Sequence, residues 1–315
     1  MRLPRHTQTN PWRHALAALH ENRKAVLVFV VDHSGSVPGI TGTHVVVADD
    51  EFSGTIGGGE AERQLLERAA AHAGKAEIYR FVHSPTAGGT LCSGTQDFAI
   101  ISLSRNDEKA VRSIVDTVDS HRTGTLRLTA EGPAFEPGAT HPHVFKSSSG
   151  SWEYAGPIGL QDTLHIIGGG HVGLALSRVM ATLPFRIVVL DNREDLPTMS
   201  ANLWAHERHV VDYGEIDDHV ADGPNSWAVI MTFGHAHDRE VLEGLLDKDL
   251  AYLGLMGSKA KVRQMFSSMV EHGTPELLLK RVTAPIGIAI GSHTPEEIAI
   301  SVAAEIIGVR NRGRS

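Results

Sequence analysis

The chain has 315 residues, more than a single hydrophobic core usually organises, so two domains are the expectation. With 41% hydrophobic and 21% charged residues it is composed like a globular protein, which excludes disorder, collagen and coiled coil. A net charge of −8 gives no electrostatic footprint for nucleic acid or an anionic membrane surface, and the one cysteine, Cys92, leaves neither an intrachain disulfide nor a thiolate zinc site within one chain.

The segment Met1–Asn10 is polar and lacks the apolar stretch of a signal peptide, and Ala25–Val31 is far too short to span a bilayer, so a soluble cytoplasmic protein is expected. Asn10-Pro11 predicts a capped helix over about Trp12–Asn22. The unbroken apolar run Ala25–Val31 predicts a buried strand, followed by the loop Ser34–Gly39 and a second strand over His44–Ala48 that turns at Asp49-Asp50. Apolar residues at Ala61, Leu65, Leu66, Ala69 and Ala73 predict a helix over Glu60–Ala73 with Gly74 as its C-cap. Strands are expected over Ile78–Val82, Phe98–Leu103 and Thr125–Thr129, with a helix over Asp107–Val118. From Glu131 to Gly156 the prolines Pro133, Pro137 and Pro142 and the run Ser147–Gly150 predict loops and one hairpin.

A domain boundary is expected near Gly156–Asp162, giving an N-terminal α/β domain over 1–156 and a second domain over 157–315. In the second, strands over Thr163–Ile167, Arg186–Leu190, Arg208–Val211, Trp227–Thr232 and Ala251–Leu255 alternate with helices over Val172–Leu183, Asp238–Leu246, Ser258–Glu271 and Pro295–Val309. That alternation predicts a doubly wound parallel sheet of Rossmann type.

Gly168-x-Gly170-x-x-Gly173 lies between a predicted strand and a predicted helix, and Asp191 ends the next strand. In a dinucleotide fingerprint the first glycine makes the turn and the second admits a pyrophosphate. The third packs helix on strand, and the acid accepts ribose hydroxyls. A nucleotide at this turn is one reading; glycines kept for packing alone are the other.

Two more glycine loops lie in the first half. Gly54-Thr55-Ile56-Gly57-Gly58-Gly59 runs straight into a helix, and bare amides at a helix N-terminus suit an anion. Glu62 either holds the start of that helix, as in a capping box, or acts as ligand or proton acceptor. The second loop, Ala87–Thr95, surrounds Cys92 with small residues, so the thiol is either a nucleophile with a lowered pKa or a small buried hydrophobe. His235-Ala236-His237-Asp238 is expected to close a strand at the ligand-binding edge of the sheet, as a polar site, a metal site or a plain helix start. Gly257-Ser258-Lys259 offers a lysine to a phosphate, or simply starts a helix. Thr294-Pro295-Glu296-Glu297 is read as a structural cap.

Taken together these motifs resemble the xanthine dehydrogenase accessory proteins, the XdhC and CoxI family. The likeness rests on Gly35-Ser36-Val37-Pro38 with Gly42, on the 54–59 loop with Glu62, on the Cys92 loop, and on Gly168–Gly173. It continues through Gly254-x-Met256-Gly257-Ser258-Lys259, and through Pro285-Ile286-Gly287 to Thr294–Ala299. The resemblance implies a chaperone that binds molybdenum cofactor (molybdopterin), assists its sulfuration and inserts it into a xanthine-dehydrogenase-type molybdenum hydroxylase. It further implies the hydroxylase apoenzyme and a cysteine desulfurase as partners, and a homodimer. Cys92 and Glu62 would carry the chemistry, with Ser36, Gly57, Gly58, Gly59, Gly168, Gly170, Gly173, Asp191, His235, Gly257, Ser258 and Lys259 as binding residues. Where relatives often have Arg after the proline this chain has Gly39, and where many have Cys-Cys-Gly-Gly it has Cys92-Ser93-Gly94-Thr95. A ligand site of this kind is expected in the cleft between the domains. An NAD(P)-dependent oxidoreductase and a nucleotide-sensing module are the alternative readings.

Overall fold

Every residue of the run 25–31 is buried, and successive side chains enter two different cores. Alternation of that kind needs a strand covered on both faces. The computed structural model places it so, with β2 (Ala25–Gly35) inside a six-stranded sheet. The structure describes residues 4–7, 10–83, 93–138, 140–160 and 162–312. The chain divides into two compact units, Met1–Gly159 and Leu160–Ser315.

In the first unit the chain runs β1 (Arg5–Thr7), α1 (Pro11–His20), β2, β3 (His44–Ala48), β4 (Glu51–Thr55), α2 (Gly59–Ala71), β5 (Glu77–His83), β6 (Gly94–Leu103) and α3 (Glu108–Asp119). The sheet has the order β1-β4-β3-β2-β6-β5, with β1 joined in parallel and the other pairs antiparallel. Trp12 and Leu19 of α1 and Val111 and Ile114 of α3 cover one face, while Leu65, Leu66 and Ala69 of α2 cover the other. Asn10 caps α1 as expected, its Oδ1 accepting from Trp12 N at 2.9 Å with Pro11 at the first helical position. The α2 helix stops at Ala71 with extended His72 as its cap, short of Gly74.

The rest of this unit is a four-stranded antiparallel sheet of β7 (Thr123–Thr129), β8 (Gly132–Pro137), β9 (Val144–Ser148) and β10 (Ser151–Gly159), in the order β8-β7-β10-β9. The expectation of loops and one hairpin over 131–156 is corrected here. The hairpin exists, as β9–β10 around Ser149-Gly150, but residues 132–137 form a strand as well. Pro133 and Pro137 are tolerated because β8 is an edge strand, whose outer side has no ladder to lose. Leu126, Leu128 and Tyr154 fasten this sheet to the core under α1 and α3.

The second unit continues with β11 (Asp162–Ile167), α4 (His171–Met180), β12 (Phe185–Asp191), α5 (Pro197–Ser200), β13 (Glu207–Val210), α6 (Ile216–His219), β14 (Gly223–Ile230), α7 (His235–Leu245), β15 (Leu250–Leu255), α8 (Lys259–Glu271), α9 (Glu276–Leu279), β16 (Val282–Thr283) and α10 (Pro295–Arg312). All six strands are parallel, in the order β13-β12-β11-β14-β15-β16. Counted from the first strand of the unit this is 3-2-1-4-5-6, the doubly wound Rossmann order, whose direction reverses between β11 and β14. Leu176 and Met180 of α4 and Val302 and Ile306 of α10 pack on one face; Val241, Leu242, Met269 and Leu279 pack on the other. The expected strand end at His235 is corrected too: β14 stops at Ile230, and His235 opens α7 after Gly234 turns the chain at φ +111°. No helix among the described residues is long and apolar enough to cross a membrane.

Candidate functional site

In the first unit the 34–39 loop and the 54–59 loop meet backbone to backbone. A Cβ on Gly39 would overlap Ile56 O, and one on Gly57 would overlap Pro38 C and Gly39 N. Gly57 also has φ +112°, a conformation that side-chain-bearing residues rarely adopt. The mutual contact explains Gly39: in this arrangement no side chain fits where the resemblance would place Arg. Ile56, fully buried, anchors the loop in the core beneath α2.

Glu62 lies one turn into α2, and its Oε2 accepts from Thr55 Oγ1 (2.7 Å), Ile56 N (2.9 Å) and Gly58 N (3.2 Å). The carboxylate therefore holds the loop that opens the helix, the first of its two readings. Gly58, rather than Gly59, is the N-cap, which makes Glu62 the fourth helical residue. The loop's capacity to bind an oxyanion is thus exercised by the chain's own carboxylate. Beyond it, the Cβ positions of Gly58 and Gly59 meet nothing within 4 Å, so their backbone faces open space.

A third strand pair reaches the same rim. Gln96 of β6 is fully buried; its Nε2 donates to Gly39 O (2.6 Å) and its Oε1 accepts from His83 Nε2 (2.6 Å). Because the amide nitrogen is committed to a carbonyl, Oε1 must face the histidine, which fixes the His83 proton on Nε2. Ser34 Oγ and Thr95 Oγ1 are 2.8 Å apart, and Gly35 and Gly94 lie so close that a Cβ on either would strike the other strand's backbone. His83 and Gly94 are register partners, so both ends of the intervening segment are rooted beside the exposed Ser36 and the glycine loops. Cys92 belongs to residues 84–92, which lie outside the described residues.

In the second unit Gly168 and Gly173 take the turn and packing roles that their spacing predicts. Gly168 turns at φ +118° where a Cβ would meet Met231 O, and Gly173 packs so closely that a Cβ would meet Gly168 O. Gly170, the N-cap of α4, has nothing within 4 Å of its Cβ position. The first contact draws the turns after β11 and β14 together at the switch point.

Asp191 is another matter. It is 0% exposed, and every acceptor position of its carboxylate is engaged. Oδ1 accepts from Arg193 N (3.0 Å) and Nε (2.8 Å), and Oδ2 from Gly169 N (2.7 Å) and Arg193 Nη2 (2.8 Å). Burial alone would push this carboxyl up, but the Arg193 guanidinium with the two amides outweighs it and holds the group below the ordinary aspartate value. The guanidinium lies 5.7 Å from the ring centroid of Phe233, itself 78% exposed.

His235 is exposed in the first turn of α7, and His237 pairs with Glu240 at 3.4 Å beside the Tyr213 ring. Asp238 Oδ1 accepts from Thr232 N (3.1 Å) and Oγ1 (2.6 Å), which ties the turn after β14 to α7; burial raises its pKa despite those bonds. Ser258 caps α8 by accepting from Lys261 N at 3.3 Å, beside half-buried Gly257 and exposed Lys259. Glu297 Oε2 accepts from His293 N and Thr294 N while Thr294 Oγ1 accepts from Glu297 N, a complete capping box. Among the described residues no three of His, Cys, Asp and Glu gather at one point. Ser36, Gly57–Gly59 and Glu62 thus assemble in the first unit, and Gly168, Gly170, Gly173, Asp191, His235, Gly257, Ser258 and Lys259 along the carboxyl edge of the second unit's sheet. Gln96, His83, Arg193 and Phe233 escaped the sequence reading; an arginine two residues after the fingerprint acid was the one signal on offer.

A model of the XdhC Rossmann domain matches residues 164–306, and one of the XdhC and CoxI family matches residues 18–82. The chain belongs to the XdhC and CoxI family. Among its relatives, uncharacterized protein YqeB of Escherichia coli (strain K12) is 28% identical over 297 residues, covering 92% of this chain and 44% of the relative. A probable xanthine dehydrogenase subunit from Bacillus subtilis (strain 168) is 30% identical over 149 residues, covering 47% of this chain and 43% of the relative. The chain therefore spans less than half the length of either. A crystal structure of a xanthine dehydrogenase from Bacillus halodurans shares the fold, with TM-score 0.74, 20% identity and 97% of each chain covered.

Proposed function

We propose that this XdhC-family protein is a maturation chaperone. It binds molybdenum cofactor as cargo and assists its sulfuration and insertion into a xanthine-dehydrogenase-type molybdenum hydroxylase. The observation that carries the reading is the rim built by Gln96. It joins the 34–39 loop to His83, while Gly39 packs on the 54–59 loop. Open glycine backbone and the roots of the cysteine-bearing segment thereby share one edge of one unit.

The chemistry of the cargo fits those residues. A molybdopterin phosphate needs amide donors without side chains in the way; Glu62 Oε2 already takes the Gly58 amide, so the donor this reading assigns is the Gly59 amide, on bare backbone at the start of α2. Ser36 offers a hydroxyl from the exposed adjoining loop. Cys92 stands two positions before Gly94 in the sequence and would supply the thiol for sulfur handling. Glu62 would act by keeping the loop in shape. The partners on this reading are the apo-hydroxylase and a cysteine desulfurase, and a second copy of the chain completes a homodimer.

The test is anaerobic expression with the cofactor pathway intact, followed by oxidation of the purified protein and detection of the fluorescent pterin. Wild-type protein retains pterin, Gly57→Ala retains far less, and Cys92→Ala abolishes hydroxylase activity in cells. Protein free of pterin under these conditions would refute the proposal.

A further inference from the structure

The carboxylate that a dinucleotide fingerprint offers to ribose is not on offer in the second unit. We infer that Arg193 is a specificity-determining residue that occupies the ribose-accepting positions of Asp191 and so excludes NAD-type dinucleotides from the Rossmann turn. This inference is independent of the molybdopterin reading, because it concerns the other unit and a different ligand.

The argument is one of acceptor capacity. A carboxylate has about four acceptor positions, and the donors on Asp191 are Gly169 N, Arg193 N, Arg193 Nε and Arg193 Nη2, all within 3.0 Å. The two backbone donors build the turn and cannot leave without unmaking it. A ribose hydroxyl must therefore displace the guanidinium from a carboxylate that is 0% exposed. The exchange replaces a bidentate ion-paired fork by hydroxyl bonds to the same carboxylate, which bring no opposite charge. It also strips a buried anion of its counter-ion. The guanidinium is further held by its neighbour Phe233, at 5.7 Å from the ring centroid. The glycines meanwhile keep the geometry of a nucleotide turn, since their close contacts with Met231 O and Gly168 O serve packing. Fingerprint and ligand are thus separable: the glycines persist for the fold while the acid is turned inward by an arginine two residues on.

The experiment is titration of the full chain with NADH, followed by nicotinamide fluorescence, for wild type, Arg193→Ala and Arg193→Met. Met keeps an apolar stem beside Phe233 and guards against a variant that fails to fold; circular dichroism checks both. Each variant retains the two backbone donors on Asp191 and frees two acceptor positions. The expected result is that at least one folded variant binds NADH at least tenfold tighter than wild type, a gain that structural damage would not produce. Equal or weaker binding by the folded variants, including no measurable binding by any of the three proteins, overturns the inference.

Discussion

His165 sits in β11, between β12 and β14, and is 4% exposed. Its Nδ1 lies 3.2 Å from Trp227 O. Burial is the main reason its pKa is pushed down to about 4; Arg186 and Lys248 add to the effect, and Trp227 O and Glu207 oppose it. Since the unfolded chain protonates this side chain near pH 6.5, the unfolded state binds the extra proton at every pH between about 4 and 6.5. Stability from this group is therefore complete above pH 6.5 and falls as the pH drops through that window. The slope approaches about 1.4 kcal/mol per pH unit, so roughly 3 kcal/mol is lost across the window. Against a total of about 5–15 kcal/mol for a typical domain, that is a large share. Replacement by Asn keeps a donor for Trp227 O and removes the titration. Urea unfolding followed by tryptophan fluorescence, to which Trp204 and Trp227 contribute from this unit, should at pH 7 and pH 5 show wild type losing about 2 kcal/mol more than His165→Asn over that interval. Buried His14 and half-buried His44, whose pKa values are lowered chiefly by desolvation, act in both proteins and cancel in the comparison. Parallel pH profiles for the two proteins would refute the reasoning.

Gly57→Ala and Gly58→Ala both place a side chain at positive φ, which costs about 1–3 kcal/mol. Only Gly57→Ala adds a collision with Pro38 and Gly39, so urea midpoints should rank wild type above Gly58→Ala above Gly57→Ala, and equal losses would contradict the packing argument. Glu62→Ala removes the acceptor for Thr55 Oγ1, Ile56 N and Gly58 N and should destabilise the first unit by about 1–3 kcal/mol, read from denaturant unfolding together with faster amide exchange at Ile56 and Gly58. Asn10→Ala should lose about 1 kcal/mol from the α1 cap, whereas Asn10→Asp, which keeps the acceptor, should lose little; thermal melts separate the two.

What could be read from the sequence was what neighbours in sequence decide. The run Ala25–Val31 is apolar at every position because both faces of β2 are covered, and the three fingerprint glycines meet the turn that their spacing describes. Two kinds of fact escaped. Pro133 and Pro137 looked like strand breakers because their tolerance depends on β8 being an edge, a property of the whole sheet. Gln96 sits in an ordinary strand pattern, and nothing local says that its amide bridges Gly39 and His83, which are remote from it in sequence or across a strand pair. Asp191 shows the same limit at the level of function: its position was legible, but whether its oxygens were free depended on a side-chain conformation of Arg193.

The two glycine turns solve one physical problem with opposite consequences. Backbone amides crowded at a tight turn need an anion, and each unit supplies one from its own chain, Glu62 in the first and Asp191 in the second. Either turn can therefore fold without a ligand, so the presence of glycines says nothing by itself about binding. What separates the turns is what remains after the internal anion is seated. All three of Glu62's bonds among the described residues converge on Oε2, while bare backbone at Gly58 and Gly59 is matched by bare backbone at Gly170 in the second turn. Asp191 has both oxygens filled and an arginine closing over it beside Phe233. The XdhC Rossmann match covers the second unit, yet the acid sealed on both oxygens also lies there, which is why the proposal puts the cargo at the first turn, where the Gly59 amide is not among the donors to Glu62.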